Sequence, residues 1–420
     1  MTKRIIAIIF IFILTTIAWA ILGGTILART YDSDGLSSSR VESTWGTEHN
    51  QATPTASFKT YTQQATETVE NGVKFTRYAT DTKLTVLPLE SSKIDVNLNL
   101  GHRQKGLLWY STYKVDFLGL YTYRNSSTQE QSVDFDLKFP TTRAIFDNLT
   151  FMVDGNPVAL TNNNNTATGT VKIGAGKVAQ LTVGYSSQGL NEWRYSFGAN
   201  DVSQVRDFNL RMKTNFKDID FPNNTLSPSE KTETPDGWDL TWSYKNLLSG
   251  YEIAMAMPEK LQPGPLAGRI SFFAPVSLFF FFFLMLIITT MRGIDLHPMN
   301  YFFLAAAFFS FHLLLAYLVD HISIHASFAI AAAVSIFLVV SYLRLVVGIR
   351  FASREAALAQ FIYLVMFSYA FFLKGFTGLA ITIGSISTLF VVMQVTGRVK
   401  WAEKFAVQDA EPAGELNLNT

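Results

Sequence analysis

The 420-residue chain is 48% hydrophobic and only 16% charged, with a formal net charge of +1. So little charge is unusual for a soluble protein of this size, and the near-neutral balance leaves no basic stripe for nucleic acid. The absence of cysteine removes disulfides, thiolate metal sites and a Cys nucleophile from consideration.

The apolar excess is concentrated at residues 5–27 and 270–396, and the middle segment, residues 29–268, carries 23 basic and 26 acidic residues. Residues 5–27 form an almost wholly apolar run behind Lys3 and Arg4. A bilayer core about 30 Å thick is crossed by roughly 20 such residues in helix. Ala18-Trp19-Ala20 resembles a small-residue cleavage site, but the run is longer than the roughly 7–15 apolar residues of a signal peptide. An uncleaved anchor over 1–28 is expected. Residues 29–80 are rich in Thr, Ser, Gln and Glu, and are expected to link the anchor to the exported domain. Within them, Tyr61 to Glu70 fits a short helix or a solvated strand.

From about residue 80 the period becomes two. Ile94, Val96, Leu98 and Leu100 alternate with Asp95, Asn97 and Asn99. The same alternation runs through Val133–Phe139, Leu181–Tyr185, Trp193–Phe197, Phe208–Met212 and Leu240–Tyr244. Such alternation marks strands with one buried face. Turn signals separate them: Asn71-Gly72, Asp154-Gly155-Asn156-Pro157, Asn162 to Asn165, Gly174-Ala175-Gly176 and Asp236-Gly237. No strand–helix alternation and no Gly-rich phosphate loop occurs, which leaves a Rossmann or P-loop reading unsupported.

Trp45, Trp109, Trp193, Trp238 and Trp242 fit either core filling or stacking platforms for sugar rings. His49 and His102 have no second ligand at metal spacing. No Gly-x-Ser-x-Gly elbow or Ser-x-x-Lys set is present. Asp134/Asp136 and Asp218/Asp220 read as i, i+2 acidic pairs, either an acid/base couple or the solvated outer face of a sheet.

After Pro263-Gly264-Pro265, five apolar spans are expected at about 270–291, 299–318, 325–346, 356–373 and 376–396, with short connections that make successive helices antiparallel neighbours. Ala305, Ala306, Ala307, Ala329, Ala331, Ala332 and Ala333 permit close helix approach, and Ser310, Ser335, Ser341, Ser385 and Ser387 are candidates for bonds across interfaces. His312 is the ionisable residue at mid-span, a proton relay or a hydrogen-bond donor to a neighbouring helix. Asp320, His321 and His325 cluster in a loop, as a metal or pH-sensing set or as a solvated cap. Arg344 near a span end is expected to snorkel. With the N-terminus inside, nine of the eleven Lys and Arg residues outside the middle segment fall on the cytoplasmic side: Lys3, Arg4, Arg292, Arg344, Arg350, Arg354, Arg398, Lys400 and Lys404; Arg269 and Lys374 fall outside. This bias sets orientation.

The expected architecture is a membrane α-helical bundle of six transmembrane helices plus an all-β extracytoplasmic domain, antiparallel and sandwich-like. Its parts are an anchor (1–28), a linker and start of the exported domain (29–80), a β-rich periplasmic domain (81–268), a five-helix bundle (269–398) and a cytoplasmic, partly disordered tail (399–420).

Ile294-Asp295-Leu296-His297-Pro298-Met299-Asn300-Tyr301, Phe311 to Leu318, Asp320-His321 and Ser341-Tyr342-Leu343 resemble the CreD family of bacterial inner membrane proteins. So do Arg398-Val399-Lys400-Trp401 and, in the exported part, Arg103-Gln104-Lys105-Gly106-Leu107 with Tyr113. The chain looks like a divergent member. Where the family often carries an acidic-Tyr step before its last span, Lys374-Gly375-Phe376 stands here. The resemblance implies a multi-pass inner membrane protein tied to envelope integrity and stress responses, and names no reaction. It points to Arg103, His297, His312, Asp320 and His321 as functional polar positions. The expected partners are the lipid bilayer and other envelope proteins or cell-wall components, with no cofactor, metal, catalytic residue or nucleic acid. The alternatives are a transporter on the C-terminal spans, using Ser310, His312 and Gln394, or a sensor acting through a separate partner.

Overall fold

The computed structural model describes residues 2–70, 73–198, 203–397 and 399. The chain divides into two compact units, one gathering residues 1–35, 106–108 and 261–420, the other residues 36–105 and 109–260. The basic and aromatic positions Arg398, Lys400, Trp401 and Lys404, the tail beyond them and the Asn71-Gly72 turn lie outside the described residues.

The first unit is helical. It holds residues 2–35 of α1 (Thr2–Trp45), whose last residues belong to the second unit, and α2 (Pro263–Arg292), α3 (Pro298–Leu318), α4 (Ile324–Val346), α5 (Ile349–Phe372) and α6 (Thr377–Thr396). All six are long and apolar enough to cross a membrane. α3, α4 and α6 agree closely with the spans read from hydropathy, α2 begins earlier, and α1 runs on well past the expected anchor. The fourth of the C-terminal spans starts earlier than expected: Gly348–Glu355 is not a loop, because only Val347 and Gly348 separate α4 from α5. Gly348 makes this sharp break at φ +114°, a conformation that side chains disfavour.

Two ion pairs align α1 with α3. Arg4 meets Asp295 at 2.6 Å, just before α3 begins, and Arg29 meets Asp320 at 3.2 Å, just after α3 ends. The two helices therefore run side by side in the same direction. Between these pins Trp19 is fully buried, its ring 6.3 Å from Phe308 and 5.5 Å from Phe309. Of the alanines, Ala305, Ala307, Ala331 and Ala332 are buried, and Ala306, Ala329 and Ala333 are exposed. Where α3 and α4 meet, Ser335 donates across the interface to the Ala307 carbonyl at 2.6 Å. Ser310, Ser341 and Ser385 instead bond to their own helices.

The second unit is built from strands: β1 (His49–Ala52), β2 (Thr55–Glu70), β3 (Val73–Val86), β4 (Leu89–Lys105), β5 (Leu108–Arg124), β6 (Gln131–Lys138), β7 (Phe146–Val153), β8 (Asn156–Pro157), β9 (Leu160–Asn163), β10 (Thr166–Ile173), β11 (Val178–Leu190), β12 (Glu192–Ser196), β13 (Ser203–Thr214), β14 (Glu230–Glu233), β15 (Trp238–Ser249) and β16 (Ile253–Ala256). They form an eight-stranded sheet (β14-β15-β13-β4-β5-β11-β7-β8), a five-stranded sheet (β3-β2-β6-β10-β9) and a three-stranded sheet (β1-β12-β16). Pairing is mostly antiparallel, with β13/β4 and β1/β12 parallel.

The alternating residues behave as their period demands. Ile94, Val96, Leu98, Val133, Phe135, Leu137, Leu181, Val183, Tyr185, Phe208, Leu210 and Met212 are all buried in one core. Tyr123 of the large sheet meets Phe135 of the five-stranded sheet edge-on at 5.7 Å, so the two layers share that core. Trp193 and Trp242 are fully buried within it. The Asp154-Gly155 turn has φ of 51° and 77°, the paired positive values of a type I′ hairpin, and it joins Val153 to Asn156 in register.

Residues 29–80 depart from the expected linker. With no proline before Pro54 and short-range side-chain bonds such as Ser38 to Glu42 at 3.1 Å, α1 continues to Trp45. Beyond it, Tyr61–Glu70 is strand rather than helix, part of a hairpin paired from Ser57/Val86 to Glu70/Val73. Thr60, Thr62, Thr66 and Thr68 supply the β-branched residues that favour extension. Asp218 and Asp220 are not an i, i+2 pair on a strand. They lie in the loop after β13, where Asp220 forms an isolated bridge with Ala256.

Candidate functional site

In the β unit, the short segment from Thr47 to Pro54 is held by tyrosines arriving from distant strands. Tyr185 donates to the Gln51 side chain at 2.6 Å, and Tyr195 shares a 2.9 Å bond with the Thr53 hydroxyl. Tyr123 donates to the Pro54 carbonyl. Burial drives Tyr113, Tyr121, Tyr123 and Tyr185 well above the ordinary phenol range, and Tyr195 to about 12. All five stay protonated; Tyr113, Tyr123 and Tyr185 donate to the Glu192 carbonyl, the Pro54 carbonyl and the Gln51 side chain, and Tyr121 accepts from Tyr195 at 3.3 Å.

His49 sits at the start of this segment, 1% exposed. Nδ1 lies 3.0 Å from the Thr47 carbonyl and Nε2 lies 2.9 Å from the Ser187 hydroxyl. A proton on Nδ1 satisfies the Thr47 carbonyl, while the Ser187 hydroxyl that faces Nε2 donates its own proton to the Ile145 carbonyl at 2.7 Å. Burial is the main cause that lowers the His49 pKa to about 4, against a small rise from its bond to Thr47. A Ser–His contact is the geometry of an activated nucleophile. Here both residues are buried, and the group that orients the imidazole is a backbone carbonyl. Gly189 permits the close approach, since a Cβ there would lie 2.5 Å from both His49 and Tyr113.

Beside this segment lies a polar cleft of about 830 Å³. Asn50, Thr53, Thr55, Asp136, Lys138, Asn163, Asn164, Asn165, Thr166 and Thr168 line it. Asp134 and Asp136 face β10, where they accept from Thr170 at 2.6 Å and Thr168 at 2.5 Å. These carboxylates are tied into a Thr–Asp ladder on the sheet face.

Arg103 is exposed on β4, its guanidinium 3.8 Å above the Trp45 ring. Lys260 lies 4.2 Å above Trp109 in the same way. His102 bonds to the Pro258 carbonyl at 3.0 Å. Trp238, half-buried, donates to the Lys217 carbonyl at 2.9 Å. Two tryptophans are thus core, two are capped by cations and one is anchored to backbone.

In the helical unit, His297 caps α3: its Nδ1 accepts from the Met299 amide at 3.2 Å, ahead of Pro298 in the first turn. His312 is fully buried and bonds to the Phe308 carbonyl of its own helix at 3.2 Å, not to a neighbouring helix. Its ring meets Trp19 edge-on at 5.5 Å. Asp320 turns to Arg29, which also donates to the Ala316 carbonyl at 3.0 Å. His321 is exposed, and His325 packs 5.1 Å from the Phe372 ring. The loop trio therefore does not converge, and among the described residues no group of three His, Asp or Glu is placed to hold a metal ion. Arg344 and Gln394 are exposed.

Two features of this unit escaped the sequence reading. One is a buried relay in which Gln360 donates to Ser335 at 2.7 Å and Ser335 donates to Ala307. A lone amide in an apolar span was its available signal. The other is an apolar crevice of about 960 Å³ among α2, α4, α5 and α6. α5 carries wide π turns at Ala352–Ala356 and Phe361–Met366, a distortion frequent at functional positions. The second of these turns forms one wall of the crevice.

A family model described as inner membrane protein CreD matches residues 1–402. The chain belongs to the CreD family. The match takes in both units, so the helical bundle and the β domain are parts of one CreD chain. No curated protein matches it. Among solved structures, a Legionella pneumophila protein described as nutrient binding is 9% identical at TM-score 0.28, covering 46% of this chain and 72% of that one. An M1 zinc metallopeptidase from Deinococcus radiodurans is 10% identical at TM-score 0.24, covering 76% of this chain and 93% of that one. Likenesses this remote carry no argument about what this CreD protein does.

Proposed function

We propose that this CreD protein is a non-enzymatic inner membrane protein that supports the cell envelope by presenting its β domain on the periplasmic face. The polar cleft would there engage a hydroxyl-rich envelope component such as a cell-wall glycan. The observation that carries this reading is the cleft itself. Its walls combine amides, hydroxyls, one carboxylate and one ammonium with the apolar faces of Ala52, Phe139 and Pro140, a set suited to neutral polyhydroxyl ligands, whose hydroxyls bond and whose ring faces stack.

Orientation is part of the proposal. Arg4 with Asp295 and Arg292 with Glu355 mark one end of the helical unit, and Arg29 with Asp320 marks the other. The richer Lys and Arg content at the first end argues for placing it in the cytoplasm. Arg29, which α1 brings to the second end, is paired with Asp320. Both chain termini would then be cytoplasmic.

The test is binding of solubilised cell-wall glycan fragments to the purified full chain. Asn164→Ala combined with Asp136→Ala is expected to abolish retention while the protein stays folded. Cells lacking the protein are expected to be hypersensitive to detergent or cell-wall antibiotics. Equal retention by wild type and variant, with no envelope phenotype, overturns the reading.

A further inference from the structure

We infer that the crevice between α6 and the rest of the helical unit is a binding site for one diacyl phospholipid, with its acyl chains in the crevice and its phosphate at the His325 end. This site is independent of the cleft in the β domain.

Three observations carry the inference. The first is that α6 stands off from its neighbours. Thr388 and Val392 are its buried residues among those described, and the Tyr363 hydroxyl ties it to α5 through Thr388 at 2.9 Å. Gly384 packs close against α5, since a Cβ there would lie 3.1 Å from the Phe367 ring.

The second is size. About 960 Å³ is at the upper end of the roughly 300–1,000 Å³ found for ligand pockets. A void of that size lined by Phe328, Ala332 and similar side chains would forfeit dispersion contacts along its whole wall. In a bilayer, acyl chains are the apolar matter at hand to fill it.

The third is length and polarity. The crevice follows α6 from Ala380 to Val392, which at 1.5 Å per residue is about 18 Å. A single leaflet of a bilayer core is about 15 Å deep. One end of the crevice is at His325, at the start of α4, and the exposed Lys374 lies in the adjoining α5–α6 connection. A leaflet-length apolar slot ending beside a histidine and a lysine matches a lipid with an anionic phosphate, better than it matches a second apolar helix.

The experiment is native mass spectrometry of the full chain, purified in mild detergent and delipidated in steps. Wild type is expected to retain one phospholipid per chain. Ala329→Trp, which fills the mouth, is expected to lower apparent affinity about tenfold, equivalent to about 1.4 kcal/mol. Leu389→Trp, at an outward position on α6 that is 56% exposed, is expected to change nothing. His325→Ala is expected to weaken phospholipid retention but not that of diacylglycerol, which lacks the phosphate. Gly384→Trp gives a second filling variant, and monodispersity on size exclusion shows that each variant is folded. Equal phospholipid retention by wild type and Ala329→Trp overturns the inference. So does a dimeric wild type that Ala329→Trp converts to monomer with no change in bound lipid, which assigns the crevice to a second copy of the chain.

Discussion

Acidification should loosen the β domain through His49, and the size of the effect follows from its surroundings. An ordinary imidazole has a pKa of 6.5, and burial lowers that of His49 to about 4. The folded state therefore binds fewer protons than the unfolded state between these values. Its stability is complete above pH 6.5, falls as pH drops, and levels off below about 4. At about 1.4 kcal/mol per pH unit, the full window is worth about 3 kcal/mol, and by pH 5 roughly 2 kcal/mol of it is gone. For a domain of this size that is a fall in Tm of about 4–8 °C. Carboxylates held low by arginine, such as Asp239 beside Arg211, add losses of the same sign only below the ordinary carboxylate range. Glu48, raised mainly by burial, acts in the opposite direction. The assay is thermal unfolding of the full chain in detergent at pH 7.5 and 5.0, followed by the near-ultraviolet signal of the buried Trp193 and Trp242. His49→Gln, which keeps a hydrogen-bonding side chain but cannot titrate, should remove most of the difference. An unchanged pH dependence in that variant would refute the argument.

Three further outcomes follow from the packing. Gly189→Ala places a methyl group 2.5 Å from His49 and Tyr113 and should cost about 1–3 kcal/mol by overpacking, read by urea unfolding. Trp242→Ala should cost about 3–5 kcal/mol, because the ring is fully buried and its indole bond to the Leu226 carbonyl at 2.8 Å is lost. A double-mutant cycle on Arg29→Ala and Asp320→Ala, read as thermal stability of the helical unit, should give a coupling of about 1 kcal/mol, since these side chains remain 36% and 29% exposed.

How much of this was legible in the sequence depended on whether burial follows a local period. Ile94, Val96 and Leu98 announce a strand because every second residue is buried, and α3 and α4 announce themselves by length and hydropathy. The hairpin of β2 and β3 did not, because its described apolar residues are split between core and surface: Ala56 and Phe58 are buried, while Tyr61, Leu84 and Val86 are 66%, 57% and 62% exposed. Where apolar side chains are left exposed, apolar and polar residues need not alternate, and Thr-rich extension resembles a linker. The polar part of α1 was hidden for a related reason, since its helical turns are supported by Ser and Thr bonds within the helix and not by a visible apolar stripe. The tyrosine-held segment is a different case. Its donors come from positions such as Tyr185 and Tyr195, more than a hundred residues away in sequence, and no local pattern connects them to Gln51 or Thr53.

The helical unit shows why the crevice could not be read from sequence at all. In water, an apolar stripe on a helix says which face meets the core. In lipid, the core and the solvent are equally apolar, and packing is decided by shape and a few polar bonds. α6 is apolar on every side, with Ile383, Ile386, Leu389 and Phe390 each more than half exposed although nothing in their chemistry marks them as outward. What distinguishes its inner face is small: Gly384 against Phe367, and Thr388 under the Tyr363 hydroxyl. The same weak marking explains how a wide crevice persists there. With Thr388 and Val392 its buried residues among those described, α6 has little to draw it inward, and lipid can replace the missing neighbour without a hydrophobic penalty.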